Sequence, residues 1–263
     1  MKFIKSEIQN NIAQVILNRP DVHNAFNDEM IDEVVSTFNE LAKNKEVRAI
    51  ILKAKGKSFC AGADLNWMKS MLEFSKEENI EDSKKLANLF LTINECPKPV
   101  IGRIHGAAFG GGVGLASVCD MLVALDSAVF CLSEVKLGLI PAVISPFVIE
   151  KMGAGNARRF FTTAEKFSAA KALETGLVSE TASSEEEMDQ IINKWIEQLK
   201  ANGPEALSES KKLIREVKDR LNSKGVNNAI DYSLEAIAER RTSKEGQEGM
   251  RAFLEKRKAN WTE

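Results

Sequence analysis

Histidine and tyrosine are scarce in this chain, whose 263 residues include two histidines and one tyrosine. The four cysteines (Cys60, Cys96, Cys119 and Cys131) have neither C-x-x-C spacing nor any other spacing typical of zinc sites, so we expect no bound metal. No apolar run approaches the roughly 18 residues of a membrane helix, and no leader-like segment follows Met1. These absences predict a cytoplasmic protein with reduced thiols and no membrane segment.

The chain also lacks an excess of charge of either sign. A net charge of −2 gives no electrostatic reason to bind nucleic acid. The glycine-rich run Gly110–Gly112 fits neither the G-x-x-x-x-G-K-[ST] nor the G-x-G-x-x-G phosphate-binding pattern. No serine lies in the G-x-S-x-G context of many hydrolases. A hydrophobic content of 44% is enough for one large domain, or for one domain with an appendage.

Strand-like and helix-like segments alternate through roughly the first half of the chain. The segment "KFIKSEIQNNIAQVILNRP" predicts two strands joined at Asn10 and Asn11. Asn27 is placed to cap a following helix, and "VRAIILKA" and "MLVAL" are short apolar strands typical of a sheet covered on both faces. From Ser145 onward the pattern is almost wholly helical. This order predicts βαβ units in a mostly parallel sheet, followed by a helical extension.

Two glycine-bearing loops, Ala61–Asp64 and Gly110–Gly112, each follow an apolar strand and open a helix. Ligands of parallel sheets bind at the carboxyl ends of the strands, where helix N-termini present unpaired N–H groups. Each loop could donate one N–H to a single oxygen, as in an oxyanion hole. We expect glycine there because a larger side chain would keep a substrate carbonyl away from the backbone. Close packing of helix on strand is the alternative explanation.

Glu134 is the candidate acid or base, in the segment "FCLSEVKLGLIPA". An apolar strand end would partly desolvate this carboxyl and raise its pKa toward the range useful for proton transfer. The alternative is a surface glutamate on an edge strand. His23 and His105 are other possible bases, although the position of His105 before a glycine at a strand end is more typical of a structural residue.

Four motifs, in this order, resemble the enoyl-CoA hydratase/isomerase (crotonase) superfamily: "LNRPDVHNAFN", "GKSFCAGADL", "KPVIGRIHGAAFGGGVGLASVCD" and "FCLSEVKLGLIPA". With "GNARRFFTTAEKFSAAKALETGLV" the resemblance covers nearly the whole chain. It implies an α/β fold in which residues 1–200 form a spiral of ββα repeats and residues 201–263 a C-terminal helical trimerisation region. That spiral replaces the simpler parallel sheet. The resemblance also implies a homotrimer or a dimer of trimers, and an acyl-CoA thioester substrate with no separate cofactor.

Site residues follow from the same resemblance, position by position. Ala63 and Gly111 match the two backbone N–H donors that hold the thioester oxygen. Glu134 matches the second catalytic glutamate of the family, and Ala142 matches the position whose N–H can hold the reacting water. The loop that lines CoA matches Ala61, Asp64, Leu65 and Asn66, with Asp64 in a structural role.

One position departs from the family pattern. Typical hydratases carry a first catalytic glutamate two residues after the glycine triplet, where this chain has Gly114. A single glutamate resembles the enoyl-CoA isomerases. The longer segments "FCAGADLNWM", "GAAFGGGVGL" and "LSEVKLGLIPAVISP", however, look more like bacterial methylglutaconyl-CoA hydratases.

We therefore favour hydration of a 2-enoyl-CoA with a branched glutaconyl-type acyl group, such as 3-methylglutaconyl-CoA. The alternatives are double-bond isomerisation by Glu134 alone and a scaffold that binds acyl-CoA without catalysis. A glutaconyl-type substrate needs a cation for its free carboxylate, and Lys69, Arg103 and Lys136 are the candidates.

Overall fold

The computed structural model describes residues 1–262, which form two sheets and a set of helices. The strands of this range are β1 (Ile4–Gln9), β2 (Ile12–Leu17), β3 (Ala49–Ala54), β4 (Ser58–Cys60), β5 (Val100–Ile104), β6 (Ala107–Phe109), β7 (Met121–Leu125), β8 (Val129–Cys131), β9 (Lys166–Ser168) and β10 (Glu180–Ala182). The helices are α1 (Asp28–Lys43), α2 (Leu65–Met71), α3 (Lys76–Asn94), α4 (Gly111–Ser117), α5 (Ser145–Thr163), α6 (Ala169–Glu174), α7 (Glu185–Ala201), α8 (Pro204–Ser223), α9 (Val226–Thr242) and α10 (Lys244–Leu254).

Local sequence signals account for the first elements. Asn10 and Asn11 both adopt left-handed backbone conformations, with φ of 49° and 65°, and they join β1 to β2 in the predicted hairpin. The side chain of Asn27 accepts the Met30 N–H and caps α1, as predicted. The hairpin and this helix start are therefore confirmed.

The larger sheet has the order β1-β2-β3-β5-β7-β10, in which only β1 is antiparallel to its neighbour. The smaller sheet has the order β4-β6-β8-β9, in which only β9 is antiparallel. The expected mostly parallel pairing is confirmed. Beyond Ser145 the chain is mainly helical, as expected, but it also contains the short strands β9 and β10, which the sequence analysis did not predict. Strands of three residues are too short to show a period in the sequence.

The chain divides into two compact units. Residues 1–96 and 100–192 form the first, which contains both sheets and a core whose fully buried side chains include Phe26, Phe38, Phe59, Phe90 and Phe130. Residues 97–99 and 193–263 form the second, which is mainly helical. The predicted domain boundary at residue 200 lies near the end of α7. The boundary between the two units, at residues 192 and 193, lies within the same helix. No helix of residues 1–262 is long and apolar enough to cross a membrane.

Candidate active site

The two glycine-bearing loops lie side by side at the carboxyl end of the smaller sheet. Strands β4 and β6 pair in parallel, so the loops that follow them leave the sheet together. A Cβ built on Gly62 would lie 3.7 Å from the Gly111 nitrogen, and one built on Gly112 would lie 2.2 Å from the Cys60 carbonyl oxygen. The backbones of the loops are therefore in direct contact.

The N–H groups of Ala63 and Gly111 in these loops are unpaired. Gly62 O and Asp64 N both hydrogen-bond the backbone of Phe26, which leaves the Ala63 N–H between them on the opposite side. Gly111 is the first residue of α4, so its N–H has no acceptor within the helix. Across residues 1–262, neither the Ala63 N–H nor the Gly111 N–H donates a hydrogen bond. Both are available to a ligand oxygen.

The structure gives a different reason for glycine at these positions from the one expected. A Cβ on Gly111 would lie 2.4 Å from Cε2 of Phe26, which is inside the protein and not where a substrate would bind. A Cβ on Gly112 would meet the Cys60 carbonyl. Close packing, the alternative raised from the sequence, therefore explains these glycines. Gly110 also needs to be glycine, because its φ is +50°.

Glu134 lies against the same helix start. The Gly110 N–H donates to Cys131 O over 2.8 Å, which ties the end of β6 to the end of β8. A Cβ on Gly110 would lie 3.2 Å from Oε1 of Glu134. Glu134 begins a short 3-10 helix, Glu134–Leu137, that ends at Gly138 in the left-handed conformation.

The Glu134 carboxyl is poorly solvated. Its Oε2 is buried and has no hydrogen-bond partner among residues 1–262. Burial raises the pKa of Glu134, and a hydrogen bond to its own backbone opposes the shift only in part. A glutamate that has a raised pKa and one carboxylate oxygen without a hydrogen-bond partner can take up and return a proton.

Apolar side chains surround Gly114, the position at which typical hydratases of the resembled family carry their first glutamate. A Cβ on Gly114 would lie 2.4 Å from Cγ2 of Ile144 and 2.9 Å from two ring atoms of Phe90. Both side chains are buried, Phe90 fully so. Neither residue had been assigned a role from the sequence, since their contact with Gly114 joins distant segments.

Asp64 holds the first loop in place. Its carboxylate accepts the N–H groups of Asn66 and Trp67, which caps α2, and pairs with Arg19 at 3.0 Å. Although burial raises the pKa of Asp64, these hydrogen bonds and Arg19 together lower it. These contacts are those of the structural role expected for Asp64, and they add Arg19, which the sequence analysis missed.

The remaining predicted binding residues are exposed. Leu65 and Asn66 are exposed at the start of α2, and Ala61 is exposed with its N–H bonded to His23 O. The Ala142 N–H already donates to Ile140 O over 2.8 Å. The expected water-holding role of Ala142 does not fit this backbone conformation, because a single N–H in a tight turn is satisfied internally.

Other groups that could do chemistry are engaged elsewhere. Nδ1 of His23 lies 3.1 Å from the Ser58 hydroxyl, and Nε2 of His105 lies 2.8 Å from Gly56 O. Burial raises the pKa of the Cys60 thiol to about 12, so it stays protonated. No group of three or more metal-ligating side chains occurs within residues 1–262.

Known proteins resemble this chain in sequence and in fold. Residues 7–263 match the family described as Enoyl-CoA hydratase/isomerase. The chain belongs to this family. An enoyl-CoA hydratase structure from Shewanella pealeana has 41% identity and a TM-score of 0.93, covering 98% of this chain and 96% of that one. An enoyl-CoA hydratase/isomerase (crotonase) structure from Legionella pneumophila has 43% identity and a TM-score of 0.89, covering 99% of both chains.

A short-chain-enoyl-CoA hydratase from Clostridium acetobutylicum is 33% identical over 261 residues, which is 96% of this chain and 94% of that protein. Family membership confirms three expectations from the sequence: the crotonase resemblance, the α/β fold with C-terminal helices, and an enzyme of the hydratase/isomerase class. An acyl-CoA thioester substrate is consistent with this family.

Proposed function

We propose that this enzyme hydrates 2-enoyl-CoA thioesters, using Glu134 as its only acid and base. The observation that carries the proposal is the Glu134 carboxyl, whose Oε2 has no hydrogen-bond partner among residues 1–262 and whose Oε1 lies near Gly110, just before α4. The N–H groups of Gly111 and Ala63 are unpaired in the adjacent loops. A proton-transfer group and two oxyanion donors are the chemical groups that addition of water to a conjugated thioester needs.

The mechanism follows from these groups. Glu134 takes a proton from water while the oxygen forms a bond to Cβ of the enoyl group. The negative charge moves to the thioester oxygen, where the N–H groups of Ala63 and Gly111 hydrogen-bond it. Glu134 then returns the proton to Cα and the carbonyl is restored. One such donor lowers the barrier by about 3 kcal/mol, and no cofactor is needed beyond the CoA of the substrate.

Isomerisation of a 3-enoyl-CoA is the second candidate. Two observations favour it: the Ala142 N–H is occupied, and the surroundings of Gly114 are apolar. A single carboxyl can move a proton from C2 to C4 without water. The same oxyanion donors would hold the intermediate.

The oxygen balance of the reaction separates the two functions. With crotonyl-CoA in ¹⁸O-labelled water, we expect loss of the conjugated-thioester absorbance and one labelled oxygen in the product by mass spectrometry. An isomerase would instead convert a 3-enoyl-CoA to its conjugated isomer with no label. Binding of both thioesters without turnover of either would support the non-catalytic scaffold.

The pKa of Glu134 predicts the pH dependence. The base must be ionised, and burial raises its pKa. We therefore expect kcat/KM to fall with decreasing pH through a midpoint above the usual range of an exposed glutamate. A profile of kcat/KM for crotonyl-CoA across pH 4 to 9 (about half-unit steps) measures that midpoint. A midpoint at the ordinary value would contradict the buried carboxyl as the base.

For the acyl group, we propose a branched glutaconyl-type substrate such as 3-methylglutaconyl-CoA. Of the three candidate cations, Arg103 is unsuitable because it pairs with Asp189 at 2.7 Å and Glu185 at 3.0 Å. Lys69 and Lys136 are exposed. Lys136 is nearer to Glu134 along the chain than Lys69 is, and we propose it as the partner of the substrate carboxylate.

Lys136→Met should lower kcat/KM for 3-methylglutaconyl-CoA about tenfold, the loss of one charge-assisted contact. The value for 3-methylcrotonyl-CoA, which lacks the carboxylate, should stay within about twofold on the same reasoning. Lys69→Met is the matched control and should change neither. If only Lys69→Met lowers kcat/KM for 3-methylglutaconyl-CoA relative to 3-methylcrotonyl-CoA, the substrate carboxylate binds at α2 and not at Lys136.

The second unit supports self-association. Helices α8–α10 expose a set of large apolar side chains, which include Ile214, Ile230, Leu234, Phe253 and Leu254. Exposed apolar surface of this kind marks a protein interface. The predicted assembly is a homotrimer or a dimer of trimers. The cytoplasmic location also stays a prediction. Light scattering of the purified protein gives its mass in solution.

A further inference from the structure

Phe26 contacts the backbone of both loops that carry the proposed oxyanion donors. It lies in the segment "VHNAFN", just before the cap of α1, and its side chain is 1% exposed. The sequence analysis gave it no function. Its position raises the question of whether it does more than fill the core.

The backbone of Phe26 fixes the peptide of Ala63. The Phe26 N–H donates to Gly62 O over 2.7 Å, and the Asp64 N–H donates to Phe26 O over 2.7 Å. These two bonds form an isolated parallel bridge with Ala63 at its centre. In such a bridge the central residue directs its own N–H away from the partner. The direction of the Ala63 donor is thus set by Phe26.

The ring of Phe26 fixes the other donor. Its Cε2 lies 2.4 Å from the position a Cβ of Gly111 would take, so the ring packs directly against the Gly111 backbone. The ring of Phe26 also contacts that of Phe90, at a centroid distance of 6.4 Å in an edge-on arrangement. Gly111 therefore cannot move toward the core without displacing the ring of Phe26.

The chain around Phe26 is itself held rigidly. The Arg19–Asp64 ion pair is buried, with side-chain exposures of 14% and 8%. Asn24 is fully buried; its amide donates to Lys55 O and Ser58 O, and its carbonyl accepts the Arg19 N–H. Phe26 is thus placed by polar contacts that do not depend on a bound substrate.

We infer that Phe26 is a positioning residue that sets the separation and the direction of the Ala63 and Gly111 N–H groups. This inference rests on the proposed function of those two groups. Both donors must point at one oxygen, and small displacements weaken such hydrogen bonds steeply. A smaller side chain at position 26 lets the Gly111 backbone relax, so the loss falls on the transition state and not on CoA binding.

The test uses Phe26→Leu and Phe26→Ala in the full chain. We expect kcat for crotonyl-CoA to fall about tenfold and about 100-fold respectively, toward the loss of one oxyanion donor, with KM nearly unchanged. Phe38→Leu is the matched control, since Phe38 is fully buried in α1. It should lower Tm to a similar degree and leave kcat unchanged.

The decisive readout is the carbonyl stretch of bound butyryl-CoA, labelled with ¹³C at the thioester carbon and measured by infrared difference spectroscopy. This saturated thioester cannot react, so the measurement reports the hydrogen bonds alone. The wild-type protein should lower the frequency, Phe26→Leu should return it part of the way to the free value, and Phe38→Leu should not.

The outcomes separate the two ideas. If Phe26→Leu lowers Tm but leaves the frequency and kcat unchanged, Phe26 is only a core residue and the inference is overturned. If the wild-type protein binds butyryl-CoA with no change in frequency, the proposed role of the two N–H groups fails, and this inference fails with it. If Phe26→Ala does not fold, Phe26→Leu, which keeps most of the buried volume, decides the question.

Discussion

For Glu134→Gln we expect kcat for hydration to fall about 10³-fold, because the substitution removes the proposed general acid and base. The amide cannot accept a proton at neutral pH, whereas it matches the carboxyl in size and can still occupy the place beside Gly110. Since the two N–H donors are untouched, binding of acyl-CoA should persist. The rate for crotonyl-CoA and the dissociation constant for butyryl-CoA measure the two effects separately.

The same substitution should make the protein at least as stable as the parent at neutral pH. Burial raises the folded-state pKa of Glu134, so the folded protein holds this proton more tightly than the unfolded chain. Stability from this group is therefore lost as pH rises through the raised pKa, and the ionised form is destabilising. A neutral amide carries no charge at neutral pH, so the destabilisation by the ionised carboxylate is absent in the variant. Glu77→Gln, at an exposed position in the first turn of α3, is the control: it should leave activity unchanged and should not raise Tm, because an acid at a helix start is favourable. Substantial hydratase activity in Glu134→Gln would refute the assignment.

Gly114→Glu, which would supply the glutamate that typical hydratases carry, does not create a second acid. Its Cβ would meet Ile144 at 2.4 Å and the Phe90 ring at 2.9 Å, and its carboxyl would enter an apolar, buried space. Overpacking alone costs up to about 3 kcal/mol, and a buried unpaired carboxyl adds to that. We expect a large drop in the urea midpoint of unfolding and no gain in hydratase rate.

Gly155→Glu is the control for this prediction. Gly155 is exposed within α5, and a Cβ there would meet nothing within 4 Å. The control introduces the same charge with no steric conflict, so its midpoint should stay close to that of the parent. A stable Gly114→Glu protein with a faster hydration rate would show that Phe90 and Ile144 can move to accommodate a glutamate. Packing around Gly114 would then not be what excludes a second acid.

Much of the site could be predicted from local sequence. The order of strand, glycine loop and helix predicted that Ala61–Asp64 and Gly110–Gly112 open helices, and the apolar strand before Glu134 suggested a desolvated carboxyl. The family resemblance then singled out Ala63 and Gly111 within these loops. Both expectations depend on neighbours within a few residues. The hairpin at Asn10 and Asn11 follows for the same reason, because its turn conformation is a property of those two residues.

Contacts between distant segments could not be predicted in this way. The sequence analysis explained glycine at position 111 by access for a substrate, whereas the structure shows the ring of Phe26, 85 positions earlier, where the Cβ would be. The short strands β9 and β10 were missed because three residues carry too weak a pattern, and it is pairing with β8 and β7 that defines them.

The sequence by itself determined the family, the alternation of strands and helices, and the single glutamate, because these depend on residue identity and order. Only the tertiary structure shows why position 114 has no glutamate. The side chains of Phe90, 24 residues before Gly114, and Ile144, 30 residues after it, fill the space beside Gly114. A space filled by distant side chains is a property of packing, which no local pattern in the chain records.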